Sequence, residues 1–253
     1  MDIISLILVF LAGALLGFFL NILVIRIPKE RGLSLPLHCT RCGQKLSFWQ
    51  CIPIFGWLIQ RGRARCCNRS LHWIPLAVEL LTAITVVLLY QRYGLTPTFA
   101  YFVFVVAVLI MTAAIDWIHR LIYTFFILIP ALIAVLGASL IPVHSMLNAF
   151  LGALMAGFGF VLMFILARFL FPAKAAPFGL GDVYLGIFIG AAVGLLNLMP
   201  ALFYGILMAG IFSAVLVIMK YSGRPNVPEY IAYGTFLCLG AIGYLLVGDM
   251  SLF

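Results

Sequence analysis

Acidic residues are scarce in this chain. There are seven in 253 positions: Asp2, Glu30, Glu79, Asp116, Asp182, Glu229 and Asp249. Charged residues of both signs make up 9% of the sequence, against about 25% in a soluble domain, while 66% of it is hydrophobic. That balance excludes a water-soluble globular protein. Low-complexity tracts and convincing internal repeats are missing as well, so neither a disordered tail nor a repeat array is expected.

What the sequence does have is apolar runs long enough for membrane helices. They fall at 3–25, 75–90, 98–115, 121–141, 147–171, 182–199, 201–219 and 229–247. The reading is an all-α polytopic membrane protein of about eight transmembrane helices, with the sixth and seventh divided at Pro200. The first run has no basic n-region and no clear small-residue cleavage site, so it is expected to stay as a membrane helix. The expected parts are a first helix (1–25), a Cys-containing insertion (26–74) and a membrane core (75–253).

The net charge of +8 raises nucleic acid as a partner, but the placement of the charges argues against it. Nine of the fifteen basic residues lie in 26–74: Arg26, Lys29, Arg31, Arg41, Lys45, Arg61, Arg63, Arg65 and Arg69. With that segment in the cytosol, alternation over eight spans puts Arg120, Arg168, Lys174, Lys220 and Arg224 inside too, leaving Arg92 outside. The charge is a topology signal and a match for anionic lipid headgroups. Nucleic-acid binding is not expected.

The same alternation puts Asp116, in AAIDWIHR, and Asp182, in FGLGDVYLG, at the cytosolic membrane face. Glu229 shares that depth and reads as a helix cap. Two carboxylates at one depth can meet if their helices pack together. An aspartyl protease needs this arrangement: one ionised Asp takes a proton from water while its protonated partner polarises the peptide carbonyl. Gly179 and Gly181 permit backbone close to a substrate strand or a positive-φ geometry. The plainer alternatives are that Asp182 caps its own helix and that Asp116 pairs with His119 or Arg120. Glu79, inside the second span, reads as an interhelical hydrogen bonder, with substrate binding as the alternative, and Asn21 as an interhelical hydrogen bonder. The pairs Gly13/Gly17 and Gly190/Gly194 read as close-packing positions, and Cys238 as a small core residue.

In the insertion, Cys39 and Cys42 form a C-x2-C knuckle, with Cys66 and Cys67 following. Two thiolate pairs in a reducing compartment read as a structural zinc site. The adjacent second pair is unusual, and Cys51, His38 and His72 are alternative ligands.

Together these motifs resemble the type IV prepilin peptidases, which serve pili and type II secretion. The resemblance rests on GFFLNILVIRIPKE, HCTRC with IPIFGWLIQRG, WIPLAVELLTA, AAIDWIHRLI, GLGD and IAYGTFLCLGAI. It implies a membrane aspartic endopeptidase of the bacterial inner membrane. Its catalytic pair would be Asp116 and Asp182 and its protease core 75–253. Its substrates would be prepilins or pseudopilins with a short basic leader, cut on the cytosolic side after a glycine. Many members then methylate the new N-terminus with S-adenosylmethionine. Three positions depart from the family pattern. Ala64 stands where the second knuckle usually opens with Cys, Gln50 and Cys51 replace Asp-Asn, and Tyr184 replaces Lys. The second of these leads us to expect weak or absent methylation. The rival class is a transporter that relays protons or ions through membrane acids, which places acids near mid-bilayer.

Overall fold

A computed structural model describes residues 2–29, 39, 42–45, 52–142, 144–170, 179–222 and 231–248. The chain forms two compact units, Met1–Gly94 and Leu95–Phe253. The first contains α1 (Ile3–Arg26), the short α2 (Phe55–Ile59) and α3 (Ile74–Tyr93); the second contains α4 (Pro97–His119), α5 (Phe125–Gly137), α6 (Met146–Leu170), α7 (Leu180–Tyr221) and α8 (Tyr233–Val247). Five of them, α1, α3, α4, α6 and α7, are long and apolar enough to cross a membrane, and α5 and α8 are shorter apolar helices. Large apolar side chains such as Phe158, Ile165, Phe169 and Ile211 stay exposed, as a lipid-facing surface requires.

Local sequence sets the helix ends. Thr96 caps α4, its hydroxyl oxygen accepting from the Phe99 N–H at 3.3 Å, and Pro97 takes the first helical position. At the other end Arg120 adopts a left-handed conformation and its N–H bonds the Asp116 carbonyl, closing α4 one turn beyond the aspartate.

In the first unit α1 and α3 run antiparallel at close range. A side chain on Gly13 would begin 2.8 Å from the Cα of Ala83, and one on Gly17 2.7 Å from the Cα of Glu79. One turn further along, Asn21 donates to the Pro75 carbonyl at 2.9 Å and to Glu79 Oε1 at 3.0 Å. The interhelical roles expected for Gly13, Gly17, Asn21 and Glu79 are borne out. Glu79 goes further, since its Oε2 accepts the Ile54 N–H at 2.6 Å and so ties the insertion to α3.

In the second unit the contacts define alternating directions. Tyr101, early in α4, donates to Ala134, late in α5, at 3.1 Å. Along α6 and α7, Gly152 lies against Gly190 and Gly194, and Phe160 against Gly186, so those helices are antiparallel. The expected division of α7 at Pro200 is corrected: Pro200 lies within helix, and the one non-helical residue is Gly194, with φ 77° and ψ 171°. Only a residue without Cβ reaches that conformation cheaply, and a Cβ there would stand 2.4 Å from His144.

The break is a reversal. Beyond it, Asn197 meets Tyr244 (2.6 Å), Gly205 meets Leu237, and Phe212 meets Phe236 (centroids 4.9 Å apart). The partners on α8 fall in number as α7 advances, so the second limb runs back antiparallel to α8. The first limb, 180–193, is about 21 Å long. Counting both limbs, α1, α3, α4, α5, α6, α7 and α8 supply the eight apolar segments that the sequence suggested.

His144 and Asn148 satisfy the backbone groups that the break frees. Leu195 N–H donates to Asn148 Oδ1 at 3.0 Å, and His144 Nε2 lies 3.2 Å from the Ala191 carbonyl. Burial pushes the His144 imidazole below its ordinary pKa, against the opposing pull of the Ala191 hydrogen bond. A neutral ring with Nε2–H facing Ala191 leaves Nδ1 to accept from Asn148, 3.4 Å away.

The close approach of α1 and α3 yields a direct expectation. Gly17→Val forces the helices apart and destabilises the first unit by roughly 1–3 kcal/mol. Gly159→Ala, at a position with nothing within 4 Å, is neutral or gains up to about 1 kcal/mol from helix propensity. Thermal unfolding of both variants in detergent checks the contrast, and equal melting temperatures would remove the packing argument.

Candidate functional site

Asp116 sits in the last turn of α4, buried at 6% exposure. It is held by a different helix. The Thr235 N–H donates to its Oδ2 at 2.7 Å, and the Thr235 hydroxyl lies 2.9 Å from the same oxygen. Thr235 is the third residue of α8, so its N–H is one of the four that a helix start leaves unpaired. Asp116 therefore caps α8 from outside, at the end where the helix dipole favours an anion. The Thr235 hydroxyl is also 3.1 Å from the Ala113 carbonyl of α4.

Asp182 is the third residue of α7, and its Oδ2 accepts the Gly179 N–H at 3.3 Å. This is the capping contact expected as the plainer alternative, and it is real. It does not exhaust the residue, because Asp182 lies close enough to Asp116 to feel its charge. Each carboxylate thus rests on the N-terminus of a helix, and the two starts converge. Arg120 acts electrostatically on Asp116, Tyr233 lies within electrostatic reach of Asp182, and the fully buried Cys238 is near both acids.

Ile122 packs against both Gly181 and Gly234. A Cβ on Gly181 would meet Ile122 Cβ at 2.7 Å; one on Gly234 would meet Ile122 Cδ1 at 3.0 Å and Asp116 Oδ2 at 3.1 Å. Gly181 is thus needed for room, while Gly179 contributes its N–H; neither takes the positive φ that glycine would allow, since Gly181 is helical and Gly179 has φ −89°. Sequence reading missed Thr235, Gly234 and Ile122. The one available signal was a hydroxyl in the first turn of an otherwise apolar span, which also fits ordinary helix capping.

The insertion carries a second constellation. The sulfurs of Cys39, Cys42, Cys66 and Cys67 all lie within 4.8 Å of one another, and Cys42 and Cys66 are 3.3 Å apart. Tetrahedral thiolates about 2.3 Å from a zinc ion are spaced about 3.8 Å from each other, so the donor set fits such an ion. His72 is not part of this cluster; His38 and Cys51 lie outside the described residues, as do Glu30, Gln50 and Glu229.

Two turns of matching geometry present the sulfurs. In the first, Cys39 N–H bonds Gln44 O, Gly43 N–H bonds Cys39 O, and Gly43 has φ 74°. In the second, Ala64 N–H bonds Arg69 O, Asn68 N–H bonds Ala64 O, and Asn68 has φ 52°. Cys67 matches Cys42, and the buried Ala64 (1% exposed) holds the place of Cys39. Cys66, one residue inside the turn, brings the fourth sulfur from a different register. The hydrogen bond to Cys42, with burial and the other two thiols adding to it, pushes the Cys66 thiol up to about 12. A divalent cation held by the four sulfurs would keep them as thiolates.

Fold and site define a multi-pass helical membrane protein with a carboxylate pair at one end of a helical bundle. Known proteins agree with that class. The family described as "Bacterial Peptidase A24 N-terminal domain" matches residues 11–93, and "Type IV leader peptidase family" matches 103–214. The chain belongs to the type IV leader peptidase family of aspartic peptidases. Proteins named prepilin leader peptidase/N-methyltransferase are similar to it. The one from Bacillus subtilis is 28% identical, over 95% of this chain and 93% of its own length. The Xanthomonas campestris protein is 26% identical (90% and 86%), and that of Myxococcus xanthus 26% (86% and 64%). No solved structure matches significantly.

The register of the two turns predicts how metal binding responds to mutation. Cys66→Ser lowers bound metal from about one per chain toward none. Adding Ala64→Cys to that variant restores it, because the sulfur returns to the position equivalent to Cys39. Elemental analysis of protein purified without chelators decides the matter. Full metal content in Cys66→Ser alone would remove Cys66 from the ligand set.

Proposed function

We propose that this protein is a membrane endopeptidase that removes the leader peptides of type IV prepilins or pseudopilins, with Asp116 and Asp182 as its catalytic pair. The observation that carries this reading is the convergence of the two carboxylates, each on a helix N-terminus, with Asp116 within electrostatic reach of Asp182. Like charges this close favour a single shared proton. The ionised member accepts a proton from water as its oxygen attacks the scissile carbonyl carbon. The protonated member donates a hydrogen bond to the carbonyl oxygen as it gains negative charge. Collapse of the tetrahedral species expels the amine, which takes up a proton from the pair.

The substrate class and a cut following a glycine come from the family likeness. The names of the relatives add an N-methyltransferase activity, for which the family likeness supplies the new N-terminus as acceptor and S-adenosylmethionine as donor. We expect that second activity to be weak here, because Gln50 and Cys51 replace an acid-amide pair. Zinc held by Cys39, Cys42, Cys66 and Cys67 would brace the 26–74 segment and supply no chemistry to the cut. The transporter alternative gains no support: the two acids lie at one end of the bundle, and Glu79 is engaged by Asn21 and Ile54.

For orientation, the basic residues support a multi-pass protein of the bacterial inner membrane, with 26–74 and the aspartate end in the cytosol and anionic lipids around it. A thiol-reactive probe applied outside intact cells should leave a cysteine introduced at Thr40 unlabelled, while permeabilised cells label it. Labelling from outside would reverse the topology.

The catalytic pair has its own test. Asp116→Asn and Asp182→Asn keep side-chain size but cannot ionise, so each abolishes prepilin cleavage at matched membrane levels, and the double variant is no worse than either. A cap alone would keep activity and shift stability by about 1 kcal/mol. Mass spectrometry of the products, with and without S-adenosylmethionine, reads cleavage and methylation together. Near-normal cutting by Asp182→Asn would return that residue to a structural role.

A further inference from the structure

The two members of the carboxylate pair are held very differently. Asp116 Oδ2 receives the Thr235 backbone N–H at 2.7 Å and faces the Thr235 hydroxyl at 2.9 Å. Asp182 receives one longer contact, the Gly179 N–H at 3.3 Å. The N–H can only donate. The hydroxyl has one proton and two oxygens in reach, Asp116 Oδ2 at 2.9 Å and Ala113 O at 3.1 Å. It favours the closer and charged one, since hydrogen bonds to ionised acceptors are the stronger. Both donors then stabilise Asp116 as a carboxylate, at the end of α8 where the helix dipole adds to the effect. Among the described residues Oδ1 has no hydrogen-bond partner, which leaves it free to take a proton.

We propose that Thr235 is the positioning residue that sets the division of labour in the pair, holding Asp116 as the ionised base and leaving Asp182 as the acid. This rests on the protease reading above. The groups that face Asp116 are consistent with it. Arg120 on the same chain segment favours the anion; Asp182 from α7 favours a single charge for the pair; Cys238 from α8 is a buried thiol; and Tyr233, also on α8, lies toward Asp182. The proton path is balanced. Water gives one proton to Asp116 and its hydroxide oxygen to the carbonyl carbon. Asp182 lends its proton as a hydrogen bond to the carbonyl oxygen, and the departing amine takes the proton from Asp116.

The test is the pH profile of prepilin cleavage by the full-length protein in detergent. Thr235→Val keeps the shape and the backbone N–H but removes the hydroxyl donor. The acidic limb of kcat/KM should move to higher pH by about one unit, the size of a lost charge-assisted hydrogen bond. Cleavage below the limb then falls about tenfold and recovers at higher pH, and Thr235→Ser restores the wild-type profile. If the valine variant does not fold, Thr235→Ala carries the same expectation. An unmoved profile, a uniform loss at every pH, or a shift of the basic limb instead would overturn the assignment; the last would mean that Asp116 carries the proton and donates it to Thr235. The two readings fail separately. Normal cutting by Asp116→Asn and Asp182→Asn removes the protease, whereas inactive Asn variants beside an unmoved Thr235→Val profile remove this inference alone.

Discussion

The second unit is organised by one difficulty, a carboxylate buried at the end of an apolar helix bundle. Asp116 is 6% exposed, and a lone carboxylate in such surroundings is costly unless donors meet it. The donors come from a helix that begins more than a hundred residues later, through Thr235 N–H and Oγ1. That requirement fixes α8 to α4 and holds both to a common level. It also demands a small residue at 234, because a Cβ there would crowd Asp116 and Ile122.

The reversal of α7 solves the companion problem. Asp182 must start a helix at the level of Asp116, and the chain must still return to supply α8 from the same end. Gly194 turns the helix back, and the freed backbone groups find His144 and Asn148. Buried in apolar surroundings, these groups have no water to bond instead. The result is an alternating set of helices whose starts and ends gather the site residues at one level. Trp117, Phe212 and Phe236 pack beside it with ring centroids 4.9–6.4 Å apart.

The insertion follows a different rule. Its two turns share one hydrogen-bond pattern although their cysteines do not share one register. Backbone geometry can therefore outlast a change of ligand position: Ala64 keeps the turn of Cys39 while Cys66 reaches the cluster from inside it. Glu79, by accepting the Ile54 N–H, fastens this segment to α3. Ile54 holds φ 62°, a conformation that a β-branched residue adopts only when its surroundings enforce it.

The apolar runs alone determined the helical membrane class, since their length and lack of charge leave few alternatives. Ordered short motifs pointed to the family and to Asp116 and Asp182. Gly13, Gly17, Asn21 and Glu79 were readable as helix-packing residues because small and polar residues in apolar spans have few other uses. The place where α7 turns was not readable. Proline is the stronger local signal, yet position 200 tolerates helix and position 194 does not, because the turn depends on what packs against it. The role of Thr235 was equally hidden. A threonine in a helix's first turn looks like any other; only the tertiary structure, by bringing α4 to the start of α8, makes its N–H and hydroxyl the partners of a distant carboxylate.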